Sequence, residues 1–203
     1  MRPKQDPQKR MTQILDTAES LFLSKGYEKT SMKEVAQDMG TAVGTIYYYY
    51  KSKEDVINAV LARRGQEAME AMRQAQVHIQ NPYERVGAMV SALLTVAGGR
   101  DQSFVQLMFT YEVTAMTKQW LSRLRLVVSD AFHSFIGAKG SKAAIQVADP
   151  DVAIFYIIET VNAILNAMQF DMTAHEFDRH LTMAADMIAF LLGTSKGSII
   201  IRL

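Results

Sequence analysis

Hydrophobic residues recur along this chain at intervals of three and four, and almost nowhere at intervals of two. Ile14, Leu15, Ala18, Leu21 and Phe22 fall on one stripe, which predicts a helix over 7–25 ended by Gly26. Met32, Val35, Ala36 and Met39 form the inner face of a short second helix. Thr30 or Ser31 caps it, and Glu34, three residues after Ser31, completes a capping box. Gly40 supplies a turn, and a third short helix covers 42–48. Ser52 caps a long fourth helix, with Glu54 and Asp55 in its first turn, where the helix dipole favours acids. This helix turns Val56, Ile57, Val60 and Leu61 inward and continues to about residue 79.

Five more helices follow by the same spacing, over 82–97, 102–111, 115–135, 150–170 and 174–192. Asn81-Pro82 and Asp149-Pro150 each place a capping residue before proline at the first helical position. The one β-like run is Ser198-Ile199-Ile200-Ile201. The pattern therefore predicts an all-α protein of about nine helices. A three-helix head containing a helix-turn-helix occupies 8–53 and a helical body 54–193, with flexible tails at 1–7 and 194–203.

Composition changes this picture in three places. Apolar residues make up 49% of the 203 positions, enough for a packed core. Residues 1–64 carry 11 Lys and Arg against 8 Asp and Glu, while 65–203 carry 11 against 13. The basic excess thus sits on the head, as expected of a part that meets phosphate. No cysteine occurs, so disulfides, thiol catalysis and thiolate metal sites are excluded. The N-terminus lacks the apolar core of a signal peptide, and no apolar run approaches the ~18–20 residues that span a bilayer. The expected location is the cytoplasm, with no membrane partner. His133, His175 and His180 show no paired ligand spacing, so no metal is expected. No nucleophile–base pair or phosphate loop is visible, so neither an enzyme nor a cofactor is expected.

The head carries the chemistry. In a helix-turn-helix the second helix enters the major groove with its N-terminal residues toward the bases. Here those residues are Thr41, Ala42, Val43, Gly44 and Thr45. Their small size lets the backbone approach DNA. Val43 and the threonine methyls suit a thymine methyl, and the threonine hydroxyls suit base edges or phosphate. No Arg, Asn or Gln lies on this helix, which leaves Lys33 as the nearest long-reaching contact and the 3–10 arm as a looser one. At 100° per residue Ile46 and Tyr50 share an inward face, so Tyr47, Tyr48 and Tyr49 turn toward the DNA. Lys51 and Lys53 add charge beside the start of the fourth helix. Aromatic residues on a short helix are also common core residues, so the pattern alone leaves a DNA-reading head and an ordinary packed one open.

Ile14-Leu15-x-x-Ala18-x-x-Leu21-Phe22-x-x-x-Gly26-Tyr27-x-x-Thr30-Ser31, then Val35-Ala36-x-x-x-Gly40, then Gly44-Thr45-Ile46-Tyr47-Tyr48-Tyr49-Tyr50-Lys51-Ser52-Lys53-Glu54, closely resembles the head of the tetracycline-repressor (TetR/AcrR) family of bacterial regulators. The remaining three quarters resemble it only in being helical and of the usual length. The resemblance implies a ligand-responsive regulator, in the simplest case a repressor. It would bind a palindromic double-stranded DNA operator as a homodimer and be released by a small, largely apolar molecule held in a C-terminal ligand-binding and dimerisation domain. It further implies that Thr30, Ser31 and Lys53 meet phosphate, that Ala42, Val43, Gly44 and Thr45 face bases, and that Tyr47, Tyr48 and Tyr49 face phosphates. Thr41 stands where valine is usual, Ala42 where serine is common and Tyr50 where phenylalanine is usual. Activation and ligand-independent regulation stay open, as does a small-molecule carrier or interaction module with an idle head.

Within the body, Met89, Phe104, Met108, Tyr111, Met116, Trp120 and Phe155 lie on inner stripes and are candidates to line a cavity, methionine being adaptable. Glu159 and Asn162 interrupt apolar runs and need partners if buried. The apolar residues at this helical spacing also suit an ordinary core, and Glu159 and Asn162 also suit an exposed or dimer-facing position. The resemblance implies that the last two long helices pair with their copies in a four-helix interface, for which Val152, Leu165, Met168, Leu181, Ala185 and Ile188 are the candidates. The alternative is packing of the same faces within one chain.

Overall fold

The computed structural model describes residues 6–98, 105, 107, 122, 125, 126, 128–170 and 172–203. Five helices open the chain: α1 Pro7–Lys25, α2 Met32–Asp38, α3 Val43–Tyr49, α4 Lys53–Ala75 and α5 Pro82–Gly98. Two short strands follow, β1 Ile136–Ala138 and β2 Ile145–Val147, then α6 Pro150–Ala167 and α7 Ala174–Leu191. Among the described residues the architecture is all-α apart from the strand pair, with a helix-turn-helix at the N-terminus.

Local chemistry sets the boundaries. The Asp6 carboxylate accepts from the Gln8 amide at the start of α1, and Pro7 stands at its first position. Ser31 and Glu34 form the expected capping box on α2, and Thr173 and Glu176 form another on α7. Ser52 accepts from Asp55 to start α4, and Asp149 from Val152 to start α6. Gly40, at φ 60, makes the turn between α2 and α3, a conformation glycine adopts without Cβ strain.

The apolar stripes collect into two cores. One holds Ile14, Ala18, Phe22, Val35, Ile46 and Tyr50 with Val56, Ile57, Val60 and Leu61 of α4, and Leu107 of the body joins it. The other takes α4 from Ala68 and Met72 onward, with α5, α6 and α7. The cores divide along α4 between Leu61 and Ala68, so the first turns of α4 belong to the head rather than to a body beginning at residue 54.

Two features differ from the sequence expectation. The strands β1 and β2 pair in parallel, Ile136 beside Ile145 and Ala138 beside Val147, and bury Ile136, Ile145 and Val147. Three-residue strands carry too little alternation for a periodicity reading to register. The segment after α7 is also no free tail. Ile199 and Ile201 are 2% and 7% exposed within the body core, and Ile200 between them faces solvent, an extended in–out alternation. The strap lies against α5: the Arg202 amide donates to Ser91 Oγ at 2.9 Å, and the Ile200 backbone lies so close to Gly87 that no Cβ fits. The hydrophobic run holds the segment down, and Gly87 gives it room. Residues 1–5 of the expected N-terminal arm lie outside the described residues.

Candidate nucleic-acid interface

The head presents α3 on its outside. Ile46 is fully buried and Tyr50 is 7% exposed, and these two residues anchor the helix against the core. The opposite side carries Ala42, Val43, Gly44, Tyr47 and Tyr48, all exposed; Tyr48 is 75% exposed. Tyr49 is half-buried on the head core and meets the Tyr48 ring edge-on, centroids 5.0 Å apart. Ala42 caps α3 without a side-chain hydrogen bond. Thr41 Oγ1 donates to Thr45 Oγ1 at 3.3 Å, so the two threonines stand side by side at the tip of the helix. Lys33 is exposed on α2, and Lys51 Nζ reaches the carbonyl of Tyr47.

Three residues expected at phosphates have partners inside the chain. Thr30 is buried, 2% exposed, and its hydroxyl donates to the carbonyls of Gly26 at 2.9 Å and Leu21 at 3.3 Å. That corrects its expected role: it ties the end of α1 to the start of α2. Ser31 is exposed, yet its oxygen accepts from the Glu34 amide and its hydrogen goes to the Glu34 carboxylate. Hydrogen bonds from the Ser31 amide, then its hydroxyl, and from Lys25 hold the Glu34 carboxyl below its ordinary value. Lys53 donates to the carbonyls of Tyr27 at 2.9 Å and Glu28 at 3.3 Å and stands 4.3 Å from the Tyr27 ring centre. It clasps the α1–α2 loop to the start of α4. Burial, with Glu54 and Glu28 nearby, pushes the Tyr27 phenol up.

Sequence reasoning missed one cluster. Glu19 of α1 is buried and meets two arginines of α4, Arg63 and Arg64. The signal was present: a glutamate placed between Ala18 and Phe22 on the buried stripe, and an Arg-Arg pair on α4.

The body candidates divide. Met89 is fully buried in the core. Asn162 lines a crevice of only about 20 Å³ with Leu93, Arg125, Val128, Ile158 and Leu165, room for about one water. Glu159 pairs with Arg125 at the surface, and the Arg125 guanidinium stands 5.2 Å from the Phe155 ring centre. Phe155 is 44% exposed, which corrects its placement on an inner stripe. Phe104, Met108, Tyr111, Met116 and Trp120 lie outside the described residues.

Of the dimer candidates only Val152 is exposed; Leu165, Met168, Leu181, Ala185 and Ile188 are buried in their own chain's core. The alternative of packing within one chain holds for these five. Helix α6 is apolar almost all round, so periodicity does not say which arc turns inward. The apolar face left open on α6 and α7 is Phe155, Tyr156, Met183, Met187 and Phe190, beside a shallow groove of about 340 Å³. Among the described residues no group of acids and histidines could hold a metal, and no helix is long and apolar enough to cross a membrane.

Comparison with known proteins agrees with this geometry. Residues 14–60 match the family described as bacterial regulatory proteins, tetR family. The chain is 26% identical over 178 residues to the HTH-type transcriptional regulator YfiR of Bacillus subtilis, covering 83% of this chain and 84% of that one. It is 32% identical over 84 residues to the HTH-type transcriptional repressor KstR of Mycolicibacterium smegmatis, 41% of each chain. Its fold is similar to that of the solved SmeT–triclosan complex, with a TM-score of 0.69 over 96% of both chains at 17% identity.

Proposed function

We propose that this chain, a DNA-binding transcriptional regulator of the TetR family, is a repressor that grips a palindromic operator as a homodimer and lets go when a small, largely apolar molecule enters its body. The observation that carries this reading is the outer side of α3. A tip of small exposed residues, Ala42, Val43 and Gly44, stands beside exposed Tyr47 and Tyr48, while Ile46 holds the helix down. Small residues at the tip allow close approach to base edges, and the phenols reach the flanking phosphates. Thr41, Thr45, Lys33 and Tyr49 complete the contact surface. Ser31 reaches phosphate through its amide and hydroxyl only by sharing them with Glu34. Lys53 contributes by fixing the loop.

Dimerisation supplies the second head. The open apolar face on α6 and α7 fits a second copy of itself, as a two-fold interface requires. Half-sites about one helical turn apart, ~34–36 Å, then meet both heads at once. For release, the ligand must bind the detached state more tightly than the DNA-bound one. A molecule wedged among the inner helices shifts α5 and, through it, α4, which packs along α5. The triclosan held by SmeT is a small apolar molecule of the size and character this reading calls for.

The test is selection of double-stranded fragments from a random library by the purified full chain at a stated salt concentration. Recovery of a palindrome, with binding weakened by Tyr47→Ala, supports the proposal. Sequence-blind, salt-sensitive binding alone would refute it and favour a carrier with an idle head.

A further inference from the structure

The cluster around Glu19 joins α1 to α4 and is the most elaborate polar arrangement among the described residues of the head. Arg63 Nη2 donates to Glu19 Oε2 at 2.6 Å, and Arg63 Nη1 donates to Asp16 Oδ1 at 2.5 Å. Arg64 Nε donates to the other oxygen, Glu19 Oε1, at 2.7 Å, and Arg64 Nη2 joins it there. Both carboxylate oxygens of one buried residue on α1 are thus gripped from two successive residues of α4. The Glu19 side chain is 8% exposed, against 22% and 26% for the arginines.

Added stability is a weak reason for this arrangement. The α1–α4 seam already has Ile14, Ala18 and Phe22 against Ile57, Val60 and Leu61, and a buried ion cluster gives back in desolvation much of what it gains in attraction. Apolar packing is non-directional, however, and leaves α1 free to roll or slide on α4 by small amounts. Hydrogen bonds between fixed atoms do not. The grip also sits at a telling place. Arg63 and Arg64 lie just beyond Leu61, where α4 leaves the head core, and before Ala68, where it enters the body core.

We infer that Glu19 is a positioning residue for operator recognition: its double arginine grip locks the head to α4 in one register, so that the distance between the two recognition helices of a dimer is fixed by the body. The inference rests on the regulator reading above. The lever is long enough to matter. From Lys53 to Arg64 α4 rises about 16 Å at 1.5 Å per residue. A tilt of roughly 10° at the grip therefore moves the far end of the head by about 3 Å, close to the ~3.4 Å that separates successive bases along one strand.

The experiment uses the palindrome that the full-length protein selects from a random library, together with copies carrying one base pair more or fewer between the half-sites. Affinity is measured for the unmodified protein and for Glu19→Gln, which keeps the shape and removes the charge. The unmodified protein should discriminate sharply between spacings. Glu19→Gln should bind the selected site about tenfold more weakly and lose a similar factor of discrimination, with the salt dependence unchanged because the phosphate contacts are intact. Arg63→Gln, which leaves Glu19 with Arg64, should fall between the two and serves if Glu19→Gln does not fold. A uniform loss over all spacings, or an unchanged spacing profile, would overturn the positioning role while leaving the regulator reading in place. Failure of the unmodified protein to select any palindrome would overturn both.

Discussion

Gly87→Ala offers the sharpest check on the packing described above, because its effect should change sign with the length of the chain. Gly87 lies inside α5, and a Cβ there would overlap the carbonyl oxygen of Ile200 and lie 3.0 Å from its amide nitrogen. The obstacle is backbone, so no side-chain rotation relieves it, and either α5 or the strap must move. The strap is held by Ile199 and Ile201, both buried, at about 1.5–3 kcal/mol each, and by the Arg202–Ser91 hydrogen bond, about 1 kcal/mol. Lifting it in full costs about 4–7 kcal/mol by these figures, an upper limit because unfolded chains already bury some apolar area. A partial shift sets the expected loss for Gly87→Ala at about 2–4 kcal/mol. In a chain ending at Gly193 the obstacle is gone. Alanine is then the better helix former by up to ~1 kcal/mol, and the same substitution should be neutral or stabilising. Urea unfolding of the four proteins at one fixed protomer concentration measures this cycle. Destabilisation of similar size in both backgrounds would refute the strap argument, since the clash would then lie elsewhere.

Three further outcomes are expected. Thr30→Val should lower stability by about 1 kcal/mol through the lost hydroxyl bonds and leave the salt dependence of operator binding unchanged, whereas Tyr48→Ala should do the reverse; a shallower salt slope for Thr30→Val would return that residue to the phosphate. Phe190→Glu places a charge on a residue 83% exposed in one chain, and its loss counts twice in a two-fold interface. At about 1.5–3 kcal/mol per copy, sedimentation should show self-association weakened at least ~100-fold, and an unaltered dimer would place the interface elsewhere. The third concerns acid. Hydrogen bonds within the capping boxes hold the Glu34 and Glu176 carboxyls below their ordinary 4.5. A folded value below the unfolded one stabilises the protein fully above pH 4.5 and loses that contribution as pH falls through the folded value. Glu34→Gln with Glu176→Gln should therefore flatten the fall of thermal midpoint with pH below 4.5, and an unchanged slope would show that other carboxylates govern acid unfolding.

Much of this molecule is legible in the sequence because its information is local. The bounds of α1, the caps at Ser31, Ser52 and Asp149 and the turn at Gly40 each depend on residues a few positions apart. The motif at residues 14–54 is equally local, and a spacing rule or a family pattern reads it directly. The inward placement of Ile46 and the outward placement of Tyr47 and Tyr48 follow from the same 100° step. Tertiary structure decided the rest. Thr30 and Lys53 carry the residue types expected at phosphate, but carbonyls of Leu21, Gly26, Tyr27 and Glu28, brought close by the fold, take their donors. On α6 and α7 the sequence showed more apolar surface than one arc needs, and only packing assigned Leu165 and Ile188 to the core and Met187 and Phe190 to the outside. The Glu19 grip spans some 45 residues, and the strap meets α5 across 111. Periodicity tells a residue which side of its own helix it occupies. It does not tell the residue what waits on that side, because that depends on how distant elements share one limited volume.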